Sequence, residues 1–218
     1  NQQTEINEWG PQVDPAELDV LSEKIRYLSR GADVFVLAGS LPREVPVDYY
    51  GRILRELRRD GMITALDASG PALRAALSAE PGVVSPNVRE AEEIVGHEFA
   101  DEDDIAAAAE MIIQMGAGSA IIHHEDGCVA RIRPEGAKRP RTYRARLPRR
   151  ADVVSTVGSG DALLAGYLSA VYGHQTPESA LSLAVACGAA NTQRFGAGVF
   201  DPPYARRAIE QQTGLEQI

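Results

Sequence analysis

Two glycines and a carboxylate stand together at the expected start of a helix. Residues 155–166 read STVGSGDALLAG, in which Gly158 and Gly160 precede Asp161 directly. The glycines permit a tight turn, and the backbone N–H groups of Gly158, Ser159 and Gly160 would converge at the helix N-terminus, where an anion such as a phosphate binds. Asp161 has two interpretations. It can balance the helix dipole, or it can accept a proton from a hydroxyl group approaching a bound phosphate.

A second candidate site follows a short apolar segment. Asn87 and Glu90 are three residues apart at another helix start, so both side chains can face one site. Glu90 suits a hydrated Mg²⁺ ion, which keeps several waters when it binds to a protein. The alternative is a capping box, in which each side chain bonds to the backbone N–H group of the other residue. The pair alone favours the capping box, and only its coexistence with Asp161 reverses that preference.

The glycine turn matches neither of the common nucleotide-binding fingerprints. It lacks the third glycine of the dinucleotide-binding motif and the Gly-Lys-Ser/Thr of the P-loop. In open parallel sheets, ligands bind beyond the carboxyl ends of the strands. Two further segments are expected there, the turn at Gly39 and the Asp-Ala-Ser-Gly sequence that begins at Asp67. The second of these serves equally well as a cap for the helix that follows.

The elements that must position these residues alternate between strands and helices. Short apolar runs predict strands at 34–38, 63–66, 83–84, 119–123, 127–133 and 142–147. Apolar residues at helical spacing predict helices at 15–30, 49–59, 71–79, 87–95, 104–115, 159–172, 177–194 and 203–212. This alternation indicates one α/β domain over residues 1–218, with helices packed on a parallel sheet. Strands 127–133 and 142–147 are expected to form an antiparallel edge hairpin, because Pro140 and nearby basic residues suit an edge.

Charge and composition exclude several classes of partner. The chain has 22 basic and 31 acidic residues, a net charge of −9 and a pI near 5.0. Nucleic acids and anionic membranes require a basic face, so neither is an expected partner. No apolar run approaches the roughly 18 residues of a membrane span. Cys128 and Cys187 are too few for a disulfide framework and are expected to be small buried side chains in a reduced, cytoplasmic setting.

Four segments in order along the chain resemble the PfkB, or ribokinase-like, family of carbohydrate kinases. Residues 155–168 are similar to the C-terminal signature of this family, and Pro86-Asn87-Val88-Arg89-Glu90 is similar to its Pro-Asn-x-x-Glu motif. The Gly39-Ser40-Leu41-Pro42 turn resembles the phosphofructokinase branch. Residues 4–11 look like a segment of the 1-phosphofructokinase and tagatose-6-phosphate kinase subgroup. Matches in the same order from Thr4 to about Gly198 are not expected by chance.

The resemblance implies a ribokinase-like three-layer α/β/α sandwich with a mostly parallel central sheet. The N-terminal strands and lid of the family, with much of its sugar pocket, are expected to be absent from this chain. The implied activity is transfer of the γ-phosphoryl group of ATP to a sugar phosphate, with fructose 1-phosphate giving fructose 1,6-bisphosphate. A tagatose-6-phosphate kinase and a noncatalytic nucleotide-binding or regulatory pseudokinase are the alternatives. The family also implies a homodimer for the full-length form.

The resemblance also assigns roles to individual residues. Asp161 is the implied catalytic base and, with Gly39, a substrate contact, while Gly158, Ser159 and Gly160 form the anion hole. Glu90 is the implied Mg²⁺ ligand, through water. The residues assigned to the nucleotide are Asn87, Asp126, Gly127, Thr156 and Asn191. For Asn191, a polar contact within a helix pair is an equal alternative.

Two positions depart from the family pattern. Ser85 stands where a lysine usually precedes Pro-Asn, and Ile122-His123-His124 replaces the Ser-Leu-Gly that usually lies beside the nucleotide. The two histidines are consecutive on an expected strand, so their side chains point to opposite faces of the sheet. They therefore make a poor metal-binding pair.

Overall fold

The computed structural model describes residues 10–134, 137–146, 153–201 and 214–218, together with the single positions 203, 205, 207 and 209. Within this part of the chain the helices are α1 Pro15–Leu28, α2 Tyr49–Arg59, α3 Gly70–Leu77, α4 Val88–Val95, α5 Glu102–Gln114, α6 Ser159–Tyr172 and α7 Pro177–Thr192. The strands are β1 Val34–Ala38, β2 Ile63–Asp67, β3 Val83–Val84, β4 Ser119–His124, β5 Gly127–Ile132, β6 Arg141–Arg146 and β7 Gly214–Gln217. Residues 4–9 and most of the expected helix 203–212 lie outside the described residues.

All seven strands form one sheet, in which their order in space is their order in the chain. Strands β1 to β4 are parallel, and β4 to β7 pair antiparallel with their neighbours. Apolar side chains of α2 to α5 form a core with one face of the sheet. Those of α6 and α7 form a second core with the opposite face. The expected α/β sandwich with three layers is therefore confirmed, and its sheet is mixed.

Local capping explains where several helices begin. Asp14 and Glu17 form a capping box at the start of α1. Helix α5 begins at Glu102, two residues before the expected start, because the Asp101 carboxylate accepts bonds from the N–H groups of Asp103 and Asp104. Helix α7 ends at Thr192, earlier than the expected Arg194. Such differences of two residues are usual at frayed helix ends.

The expectation of an edge hairpin is wrong in one respect. Strands β5 and β6 do form an antiparallel pair, but β6 is not at the edge, because β7 pairs with it from Tyr143 to Arg146. The sequence Gly-Leu-Glu-Gln of β7 is short and polar. Such a segment has no strand signal of its own, and its pairing depends on β6, nearly 70 residues earlier in the chain.

The core consists mostly of small and aliphatic side chains, together with the buried Tyr49, Tyr143 and Tyr167. Both cysteines are buried and unbridged, as expected. At the other edge of the sheet, β1 is less covered, and Val36 is 50% exposed. No helix in the described part of the chain is long and apolar enough to cross a membrane.

Candidate active site at the carboxyl edge of the parallel strands

The ends of the first two strands are tied together at the edge where a ligand is expected. The backbone N–H group of Gly39, the residue after β1, donates to the carbonyl oxygen of Asp67, the last residue of β2, at 2.9 Å. The Tyr50 hydroxyl donates to the carbonyl oxygens of Ala38 and Gly39 at 3.0 Å. Gly39 has a φ of +90°, which a side chain would oppose. The turn is thus held by one backbone bond to Asp67 and by the Tyr50 hydroxyl.

The glycine turn forms the N-terminus of α6, as predicted. Gly158 is the N-cap with a φ of +78°, and a Cβ at this position would lie 2.6 Å from the Cβ of Ala197. The Ser159 N–H group donates to the Thr156 carbonyl oxygen at 3.1 Å, so this amide of the expected anion hole is already occupied. The N–H groups of Gly158, Gly160 and Asp161 have no acceptor within the described part of the chain. These three amides are available to an anion.

Asp161 lies on the first turn of α6 and is exposed. Its charge adds to the raised pKa of Asp67 and opposes the lowering of the His123 pKa by burial. The end of β4 reaches the N-terminus of α6, since the His123 ring lies beside Gly160, and Asp67 at the end of β2 is within range of the Asp161 charge. An exposed carboxylate beside free backbone amides can receive a proton from a hydroxyl group while the amides hold an anion.

The Asn87–Glu90 pair forms the capping box that was the alternative in the sequence. The Asn87 side chain accepts from the Glu90 N–H group at 2.9 Å, and the Glu90 carboxylate accepts from the Asn87 N–H group at 3.0 Å. The bond to Asn87 occupies Glu90 Oε2 and leaves Oε1 for another partner. Burial raises the pKa of Glu90, against the lowering effect of the Asn87 backbone. Capping and cation binding are therefore compatible in this residue.

The acidic groups at this edge are suited to a divalent cation. The pKa of Asp67 is raised to about 6, first by burial and then by the charges of Glu90 and Asp161. A cation would relieve this mutual repulsion, and carboxylate oxygens are the ligands that Mg²⁺ prefers. Among the described residues, no three His, Cys, Asp or Glu side chains converge closely enough to hold a metal ion by themselves. The carboxylates at this edge therefore suit a Mg²⁺ ion that is held by few protein ligands and keeps its bound waters.

A cavity of about 350 Å³ opens beside the glycine turn. Thr156, Ser159 and Gly127, three of the residues predicted to form the site, line it. Its walls are formed by α6, α7 and the turn between β4 and β5, and the remaining lining residues are His123, His124, Glu125, Val153, Leu163, Val185, Gly188, Ala189 and Thr192. A larger groove of about 860 Å³ lies between α1 and α2 and contains none of the predicted site residues. The cavity of about 350 Å³ is therefore the one that lies beside the candidate site residues.

Asn191 and Asp126 do not line this cavity. Asn191 is completely buried, and its amide donates to the Val157 carbonyl oxygen and accepts from the Gly198 N–H group, both at 2.8 Å. It joins the loop before α6 to the loop after α7, which places the glycine turn. The Asp126 N–H group faces His124 Nδ1 at 3.3 Å in the turn between β4 and β5.

The two departures from the family pattern lie close to the site. Ser85 is fully buried and its hydroxyl has no hydrogen-bond partner in the described part of the chain. His123 contacts the glycine turn, whereas His124 lies 3.9 Å from the Glu102 carboxylate of α5. The side chains of His123 and His124 therefore point to different faces of the sheet, as predicted for consecutive residues of a strand. The sequence alone did not indicate the contact of His123 with α6, which tertiary packing creates.

A family model described as pfkB family carbohydrate kinase matches residues 1–203 of this chain. The chain belongs to the pfkB family of carbohydrate kinases. A tagatose-6-phosphate kinase of Staphylococcus epidermidis is 31% identical over 218 residues, an alignment that covers 98% of this pfkB chain and 63% of that relative. The pfkB chain thus spans less than two thirds of the length of this curated relative.

Solved structures show the same fold. A putative phosphofructokinase from Staphylococcus aureus has a TM-score of 0.81 and 25% identity, and the match covers all of the pfkB chain and 68% of that structure. Phosphofructokinase-2 from Escherichia coli has a TM-score of 0.85 and 23% identity, with 96% and 66% covered. The ribokinase-like fold expected from the sequence is confirmed.

Proposed function

We propose that this chain carries the phosphate-handling part of an ATP-dependent sugar-phosphate kinase. The observation that carries the proposal is the position of Asp161, on the first turn of a helix whose glycine turn presents free amides, at the same sheet edge as Asp67 and Glu90. Fructose 1-phosphate is the expected acceptor, giving fructose 1,6-bisphosphate and ADP. Tagatose 6-phosphate is the second acceptor, and the 31% identical relative named a tagatose-6-phosphate kinase supports it. The expected homodimer remains a prediction from family membership, and the cytoplasmic location remains a prediction from the cysteine content.

Asp161 and the glycine turn divide the chemistry between them. The Asp161 carboxylate accepts the proton of the attacking sugar hydroxyl, so that the oxygen becomes a better nucleophile as the new P–O bond forms. The N–H groups of Gly158 and Gly160 stabilise the charge on the transferred phosphoryl group. Gly39, at the neighbouring strand end, places its backbone on the acceptor side.

Glu90, together with Asp67, would hold the magnesium ion, in part through water. Mg²⁺, when bound, neutralises charge on the nucleotide phosphates and on the transferred group. The Asn87 backbone N–H group holds the Glu90 carboxylate through one hydrogen bond, and the Asn87 side chain accepts from the Glu90 N–H group. The cavity between α6 and α7, with its apolar Leu163 and Val185, receives the adenosine part of the nucleotide.

The test is ADP production in the presence of ATP, Mg²⁺ and either fructose 1-phosphate or tagatose 6-phosphate. It compares this chain, a version extended at its N-terminus to the length of its relatives, and Asp161→Asn in both. We expect Asp161→Asn to lower kcat about 10²- to 10⁴-fold, because a positioned general base contributes about that much. Asp19→Asn, an exposed aspartate on α1, is the matched control and should retain full activity.

The outcomes separate the kinase from a noncatalytic relative. The buried Ser85 and the two histidines are the observations that favour a pseudokinase, since they replace a cation and a glycine near the nucleotide. Binding of ATP without turnover in the extended form would establish the pseudokinase. Turnover that survives Asp161→Asn would remove the proposed base from the mechanism.

A further inference from the structure

His123 connects the two halves of the candidate site. Its backbone N–H group donates to the Pro86 carbonyl oxygen at 3.1 Å, and it forms a parallel bridge with Asn87. Its imidazole lies against Gly160, so close that a Cβ there would be 3.0 Å from Cε1 and 3.1 Å from Nε2. The ring also lines the cavity beside Thr156 and Ser159. The backbone of His123 is therefore held by Pro86 and Asn87 of the Pro-Asn-x-x-Glu segment, and its ring lies against the glycine turn.

Several charged or titratable groups surround this ring in the described part of the chain, among them Glu125, which lines the same cavity. His124 on the same strand lowers the pKa of His123, and Asp161 on α6 raises it. On β5 the residue paired with His123 is Cys128, and burial raises the pKa of that thiol to about 12, so it stays neutral. Helix α7 contributes Val185, Gly188, Ala189 and Thr192 to the cavity, all uncharged. Glu90 lies on α4, three residues after Asn87, and is not among the groups that shift the pKa of His123.

Burial is the largest influence and lowers the pKa of His123, so the ring is neutral near pH 7 when no ligand is bound. A neutral imidazole has one N–H group and one nitrogen that accepts. The Ser85 backbone raises the pKa of the ring and so favours its protonated form. A neutral ring presents either its single N–H group or its lone pair to an anion at the glycine turn. The imidazolium carries an N–H group on both nitrogens and a positive charge, so it attracts the anion whichever nitrogen faces the turn.

We propose that His123 binds a phosphate group of the nucleotide as an imidazolium, and that it takes up the required proton from solvent when the nucleotide binds. The inference rests on the proposed function, because it requires a nucleotide phosphate at the glycine turn. The ring nitrogen gains the proton and no other bond changes. His123 is thereby a phosphate ligand and a source of positive charge next to Gly160. This chain has the buried Ser85 before Pro86, where the family usually has a lysine.

The proton count can be measured directly. Binding of ADP with Mg²⁺ is followed by titration calorimetry at pH 7 in three buffers that differ in ionisation enthalpy, for the unmodified chain, His123→Gln and His97→Gln. The terminal phosphate of ADP also titrates near this pH, so the proton uptake of His123→Gln is subtracted. We expect the unmodified chain to take up close to one more proton per site than His123→Gln. The exposed His97, whose ring packs against Phe99, is the matched control and should not change the count.

The affinity gives a second readout. In the unmodified chain, ADP affinity should fall by up to about tenfold per pH unit from pH 6 to 8 relative to His123→Gln, because one proton is linked to binding. Adenosine has no phosphate and should bind both chains equally, which also reports that the variant is folded. His123→Asn repeats the comparison with a shorter amide. Carbon-13 NMR of the His123 Cε1 position follows protonation in the unmodified chain itself.

Each outcome decides the proposal. Equal proton uptake by the two chains, with intact ADP binding, would overturn the role of His123 and leave the proposed function standing. No binding of ADP or adenosine to the unmodified chain at any pH would refute the nucleotide site and the His123 proposal together. Extra proton uptake that requires His123 and appears with ADP, but not with adenosine, would establish it.

Discussion

Asp67 offers a direct test of the electrostatics of this site. The residue ends β2, and its pKa is raised from 3.8 to about 6 by burial and by the charges of Glu90 and Asp161. The folded state therefore binds a proton at Asp67 more tightly than the unfolded state does. Between about pH 4 and pH 6 the free energy of unfolding falls as pH rises, and above pH 6 the whole penalty is present. Replacing Asp67 with asparagine should remove this penalty at neutral pH.

The magnitude follows from the pKa. A rise from 3.8 to about 6 corresponds to about 3 kcal/mol, because a tenfold change in proton affinity is worth about 1.4 kcal/mol. The carboxylate is partly exposed to solvent, and screening reduces the effect to about 1–2 kcal/mol. We therefore expect Asp67→Asn to raise the free energy of unfolding by about 1–2 kcal/mol at pH 7.5, and by almost nothing at pH 4.

The assay is urea unfolding of both proteins from pH 4 to 8 without Mg²⁺. The decisive quantity is the difference in the free energy of unfolding between Asp67→Asn and the parent. This difference should grow as pH rises through about 5 and then level off. Asp19→Asn, at an exposed position of α1 whose charge acts weakly on Arg26, should give a much smaller difference than Asp67→Asn at every pH. The gain at pH 7.5 should shrink when Mg²⁺ is added, since the ion neutralises the same repulsion. A variant that is no more stable than the parent at pH 7.5 would refute the reasoning.

Two further predictions concern groups that hold the site in place. Asn191→Leu leaves the Val157 carbonyl and the Gly198 N–H group without their buried partner, and should lower the free energy of unfolding by about 2 kcal/mol in urea, with faster hydrogen exchange at Gly198. Unchanged exchange there would contradict the bridging role. The pKa of Glu102 is lowered, first by its bond to Arg146, so Glu102→Gln should cost about 1 kcal/mol at pH 7 and less at pH 3, as measured by thermal unfolding. An equal cost at both pH values would exclude ion pairing as the cause.

Much of this arrangement could be predicted from the sequence because the signals are local. The glycine turn before Asp161 forms a helix N-terminus, and Asn87 with Glu90 forms the capping box that its spacing allows. Each depends on residues only a few positions apart, so backbone preference and nearby side chains determine the result. The alternation of strands and helices likewise follows from periodicity within single elements.

Other features depend on contacts between distant segments. The packing of His123 against Gly160 joins residues 37 positions apart, and no periodicity indicates it. The Ser159 amide was expected to face an anion, but it bonds within the turn, which only the conformation of the loop reveals. Asp67 was equally well explained as part of a helix cap. Its placement between the charges of Glu90 and Asp161 comes from the meeting of three elements at one edge.

Strand β7 affects how the arginines of β6 are interpreted, because it pairs with the strand that carries them. The basic residues of this segment suited an edge strand in the sequence, and they include Arg144 and Arg146. In the structure, β7 pairs with the backbone of β6 over four residues, from Tyr143 to Arg146. Strand β7 is mostly exposed, so it costs little to detach, and its departure exposes the N–H and C=O groups of β6. A bare strand of this kind recruits other chains and seeds aggregation, unless its side chains repel them. Arg144 and Arg146 form ion pairs with Glu102 of α5, so their charges hold β6 to that helix and do not stand free along the edge.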